Sequence, residues 1–105
     1  MRRDEAAASV VVEVARAKGV GVLEIFQRSR GSEEAATARQ LAMYLLHVWL
    51  GRRQEDVGRM LGRDRTTVGH ACRTVEDGRD DRTFDAEVAA MESALSGLPE
   101  LRHAA

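Results

Sequence analysis

Apolar positions recur at helical spacing through most of the chain. From Asp4 to Lys18, the residues Ala7, Val11, Val14, Ala15 and Lys18 share one face. The β-branched run Val10–Val12 argues for a strand, but the alanines and charges on either side weigh for a helix. "KGVG", residues 18–21, ends that helix, because glycine readily adopts the left-handed cap. Val22 to Phe26 reads as a short apolar turn and "RSRGS", residues 28–32, as a loop. The best helix runs from about Glu34 to Leu50. Leu41, Leu45 and Val48 form one stripe, and Ala42, Leu46 and Trp49 the adjacent one. Ser32 is its expected N-cap, with Glu33 and Glu34 offsetting the dipole, and "GRR" closes it.

A shorter helix follows at residues 54–61, with Val57, Met60 and Leu61 apolar. Gly62 stops it and Asp64 caps the next helix, whose Val68, Ala71, Cys72 and Val75 point inward at i, i+3, i+4 and i+7. "EDGRDDR", residues 76–82, reads as a polar break. A last amphipathic helix, about 83–96, carries Phe84, Val88, Met91 and Leu95, and Pro99 follows it. The expected fold is all-α, about six helices in one domain spanning residues 1–105, with a helix-turn-helix at about 53–77.

At 105 residues there is little room for a second core. Cys72 stands alone, which excludes an internal disulfide and fits a reducing compartment. With no signal-peptide pattern and no apolar run of membrane-spanning length, a cytoplasmic, nucleoid-associated protein without membrane contact is expected. The net charge of −1 hides a separation. Residues 39–75 hold seven arginines against Glu55, Asp56 and Asp64, whereas residues 76–100 hold eight acids against Arg79 and Arg82. A basic centre permits a polyanion site on a neutral whole, although charge alone reads equally as two solvated faces.

The second helix of the helix-turn-helix leaves Arg65, Thr66, Thr67, Gly69, His70 and Arg73 facing outward. Such a helix can offer its N-terminal side chains to base edges in a major groove. Arg65 suits guanine O6 and N7, Asp64 can accept from a cytosine amino group, and threonine methyls suit a thymine methyl. Gly69 would let the backbone approach closely. The competing interpretation is an ordinary helical hairpin in which Asp64 is only a cap and the arginines are only solvated. His47, His70, His103 and Cys72 lack metal-ligand spacing, so neither a metal nor an enzyme is expected. A protein-interaction module using the acidic C-terminal region is the main alternative to DNA binding.

The segment "ARQLAMYLLHVWLGRRQEDVGRMLGRDRTTVGHACRTVED", residues 38–77, resembles the C-terminal DNA-binding domain (domain IV) of the bacterial chromosomal replication initiator DnaA. "RQLAMYL" and "GRDRTTVGHAC" are the most recognisable stretches, and a weaker likeness runs from Val22 to Leu95. The resemblance implies a Trp-repressor-like helix-turn-helix fold binding double-stranded DNA at a DnaA-box-like site. It implies base reading by Asp64, Arg65, Thr66 and Thr67, joined here by His70, and a backbone contact by Arg39. Arg59, Arg63 and Arg73, with Arg52 and Arg53, are further candidates for phosphate contact, and Arg28 or Arg30 for the minor groove. Three features depart from the family. Arg65 replaces its usual histidine, the normally basic loop reads "GSEEAATA", and the turn is one glycine shorter. No G-x-x-x-x-G-K-[ST] loop occurs, so no ATP or other cofactor is expected and the chain reads as a free-standing module.

Overall fold

The computed structural model describes residues 4–102, and these form helices joined by short turns. In chain order they are α1 (Glu5–Lys18), α2 (Val22–Phe26), α3 (Glu33–Tyr44), α4 (Gln54–Leu61), α5 (Arg65–Gly78), α6 (Arg82–Ser96) and the single turn α7 (Pro99–Arg102). No strand occurs among the described residues. His103 lies outside them.

Local chemistry accounts for the boundaries. Asp4, Ser32, Asp64 and Asp81 each accept a hydrogen bond from an amide of the helix they start. Gly19 and Gly62 close α1 and α4 in the left-handed conformation, at φ 68° in both cases. Three expectations change. Val22–Phe26 is a helix rather than a turn, and α5 runs through the expected polar break to Gly78, so that break shrinks to residues 79–81. The third change is at the end of α3.

There the helix widens into a π segment, Leu45–Trp49, in which the Leu50 amide donates to the Leu45 carbonyl at 2.8 Å. A π turn holds one residue more than an α turn, so it rotates the residues beyond it out of phase. Val48, expected on the buried stripe with Leu41 and Leu45, is therefore 45% exposed, and Leu50 is buried instead. Trp49 is half-buried against the core rather than within it. His47 Nδ1 meets the Arg52 carbonyl at 2.7 Å and helps turn the chain into α4.

α3 occupies the centre, packed against α1, α2 and α5. One apolar cluster joins Val10 and Val14 of α1 to Ile25, Leu41, Leu45 and Leu46, to Val57 and Leu61 of α4, and to Val68, Ala71, Cys72 and Val75 of α5. Val88, Met91 and Leu95 of α6 complete it. Burial pushes the Cys72 thiol up to about 11, so Cys72 is a neutral packing group. At the other end of the bundle Arg79 ties the last turn of α5 to α6. It donates to Asp85 at 2.5 Å, to Glu92 at 2.9 Å and to the Tyr44 hydroxyl at 3.2 Å.

The tightest approach of backbone to a glycine is at Gly58. A Cβ there would stand 2.4 Å from the carbonyl oxygen of Arg63, a backbone atom that cannot swing away. Gly58 therefore lets the turn between α4 and α5 fold back onto α4. At Gly69, by contrast, a Cβ would meet only the Gln54 amide, at 3.4 Å. Gly58→Ala should destabilise the fold by about 1–3 kcal/mol, the usual cost of overpacking. Gly69→Ala should change it far less. Thermal or urea unfolding followed by circular dichroism checks both, and equal effects would contradict the account.

Candidate nucleic-acid interface

α5 is held by its apolar stripe, so its opposite face is fixed in solvent. Arg65, Thr66, Thr67, His70 and Arg73 are all exposed, and Gly69 is half-buried between them. Asp64 is exposed too, with its Oδ1 accepting from the Thr67 amide at 2.9 Å. The Thr67 amide, with help from its side chain and the Thr66 amide, holds the Asp64 carboxyl below the usual carboxylate range. An ionised cap that uses one oxygen inward still has lone pairs to offer outward.

Beside this face lies the loop from Gln27 to Gly31. A groove of about 390 Å³ separates the two, lined by Arg28, Arg30, Arg39 and Arg63 with Thr67 and His70. The structure thus brings the candidate minor-groove arginines alongside the candidate base-reading helix. Gly31 closes the loop at φ 75°, with the Gln27 amide packed where a Cβ would point.

The arginines differ sharply in how they are spent. Arg39 was expected against a phosphate, yet it is only 5% exposed. Its guanidinium donates to the carbonyls of Ile25 and Glu24 at 2.8 Å each, and of Arg30 at 3.1 Å. Burial, then the charges of Arg63 and Arg30, loosen its hold on its proton. Arg63 donates to four carbonyls. Arg52 is committed to Asp4 at 2.8 and 3.1 Å, which anchors the start of α1. Arg53 and Arg59 share Asp56 in solvent, and Arg30 pairs with Glu33. Such exposed pairs are weak enough to exchange for phosphate. Arg28, Arg65 and Arg73 have no ion pair among the described residues.

The structural tasks of Arg39, Arg52 and Arg63 were not legible in the sequence, because an arginine that grips carbonyls across a loop leaves no periodic signal. No group of three or more metal-ligating side chains is assembled among the described residues. No helix there is long and apolar enough to cross a membrane.

Residues 7–75 match the model of the bacterial dnaA protein helix-turn-helix. The chain belongs to that family. The match takes in α1 and ends within α5, so α6 lies beyond it. Within the matched region α4, the turn at Gly62–Asp64 and α5 follow one another as helix, turn and helix, α5 continuing beyond the match. Similar curated proteins include three named chromosomal replication initiator protein DnaA. That of Bacteroides thetaiotaomicron is 40% identical over 73 residues, covering 68% of this chain and 15% of the relative. That of Sphingopyxis alaskensis is 46% identical over 63 residues, covering 58% and 14%. The Chloroflexus aurantiacus protein is 32% identical over 99 residues, covering 92% and 20%. The chain therefore spans at most about a fifth of the length of these relatives.

The cap at Asp64 gives the DnaA-type domain a testable pH dependence. A carboxylate whose folded value is depressed stabilises above its ordinary value, and the benefit is lost as pH falls through the folded value. Asparagine caps as well as aspartate but carries no titrating charge. The stability difference between wild type and Asp64→Asn should thus be largest near neutrality and close below about pH 4. Denaturant midpoints across that range provide the check, and a difference constant with pH would contradict it.

Proposed function

We propose that this chain binds double-stranded DNA sequence-specifically at a DnaA-box-like site. The observation that carries the reading is the exposed face of α5 beside an arginine loop, with Arg28, Arg65 and Arg73 free of ion pairs among the described residues. α5 enters the major groove by its N-terminal end, where Asp64, Arg65, Thr66, Thr67 and His70 read base edges. Arg73 contacts phosphate, and Arg53 and Arg59 join it by exchanging Asp56 for a phosphate oxygen. Arg28 and Arg30 reach the adjacent minor groove. Arg39 supports that loop from beneath instead of touching DNA. The similar proteins are named replication initiators, so control of replication initiation or of transcription is the setting proposed. The chain acts there as a binding module, not an enzyme.

Docking of a protein through the acidic C-terminal region has less support. Asp85 and Glu92 are spent on Arg79, Glu87 on Lys18, Glu100 on Ser9, and Asp81 on capping α6.

Arg65 is the sharpest test. Arginine forks onto guanine, whereas histidine makes a single bond and is mostly neutral at pH 7. Arg65→His should move preference at one base pair by about 1–3 kcal/mol of discrimination, with Thr67→Ala relaxing a neighbouring pair by less. Selection of bound duplexes from a random pool, run on wild type and variant in parallel, reads this directly. Identical consensus sequences would remove Arg65 from base reading, and failure of wild type to enrich any consensus would overturn the proposed function.

A further inference from the structure

The loop carrying Arg28 and Arg30 has little of its own to hold it. Residues 28–31 make no hydrogen bond to other backbone groups among the described residues. Two side chains grip it instead. Arg39 rises from α3 to the carbonyls of Glu24, Ile25 and Arg30. Arg63 reaches across from the turn that starts α5. Its Nη1 donates to the Gln27 and Leu61 carbonyls at 2.8 Å each, and its Nη2 to those of Arg28 and Ser29 at 3.2 Å each.

A guanidinium has five N–H groups in a rigid fork. Four are thereby matched to four carbonyls, leaving only Nε–H. The planar edge that would bind a phosphate in two-pronged fashion is already occupied. The Leu61 contact locks the side chain to the end of α4, and the other three extend that lock to the loop. The contact spans about 35 residues of sequence and joins the two elements that flank the arginine-lined groove.

We propose that Arg63 is a positioning residue that fixes the Arg28–Arg30 loop in register with α5, so that one duplex meets both at the correct offset. The inference rests on the reading of this face as a duplex-DNA interface. It departs from the sequence-based expectation that Arg63 contacts phosphate. Lysine at this position keeps the charge but has a single ammonium group, which cannot span four carbonyls. Charge and bracing can therefore be separated.

The test uses the full chain with Arg63→Lys, Arg63→Ala and Arg28→Ala/Arg30→Ala. In the free protein, 15N relaxation should show residues 28–31 loosened in both Arg63 variants while α5 is unchanged. Unchanged relaxation in the loop overturns the brace without reference to DNA. With the selected duplex, guanine→inosine and adenine→2,6-diaminopurine replacements change the minor-groove edge and leave the major-groove edge as it was, and a duplex carrying them away from the loop controls for the altered pairing. At base pairs under the loop these should weaken wild type about tenfold, and either Arg63 variant less than about twofold. Discrimination at pairs under α5 should persist, and the Arg63→Lys salt slope should match wild type. Adding Arg63→Lys to the loop double variant should cause no further loss of minor-groove sensitivity. A salt slope smaller by about one in Arg63→Ala, with minor-groove sensitivity retained, would make Arg63 a phosphate contact and overturn the proposal. A wild type indifferent to both analogues would remove the minor-groove reading itself.

Discussion

Backbone carbonyls can satisfy an arginine's hydrogen bonds without cancelling its charge, and the arginine-lined groove beside α5 depends on that distinction. Arg39 and Arg63 make seven carbonyl contacts, four of them to the Gln27–Gly31 loop, and none to a carboxylate. The polar groups are paired, so burial is tolerated. The positive charge remains, and it is felt locally, since Arg63 and Arg30 both disfavour the charged form of Arg39. A phosphate chain laid along the groove would relieve that repulsion. The same bonds that shape the loop thus keep the surface cationic in a chain whose net charge is −1.

The rest of the charge is partitioned to match. Arg79 and Arg52 are consumed in holding elements together, the first against Asp85 and Glu92, the second against Asp4. Among the candidate DNA contacts, Asp64 caps α5, Glu33 pairs with Arg30, and Asp56 pairs with Arg53 and Arg59. Gly58 and Gly62 set how closely the turn folds onto α4, and hence the angle at which α5 is presented. Packing then does the remainder, because Val68, Ala71, Cys72 and Val75 leave α5 only one orientation.

Much of this was legible from residue spacing. The caps at Ser32 and Asp64, the stop at Gly62 and the inward stripe of α5 follow from short-range rules and reappear in the structure. The features that were not legible depend on contacts between distant segments. The π widening at Leu45–Trp49 breaks the 3.6-residue phase and turns Val48 outward, a change that no local pattern announces. Gly58 resembles any helical glycine until the Arg63 carbonyl is seen beside it. Arg39 and Arg63 read as surface cations, because composition cannot tell a guanidinium facing water from one facing carbonyls.

In the proposed function, cations left free by the fold, Arg28, Arg65 and Arg73 foremost, meet the phosphates and bases of a duplex. The dependence of the binding constant on salt tests it most directly, since each neutralised phosphate releases counterions. A plot of log Kobs against log salt for wild type on its selected duplex should be linear. Three or more phosphate contacts set its slope at about −3 or steeper. A slope near zero would contradict the account.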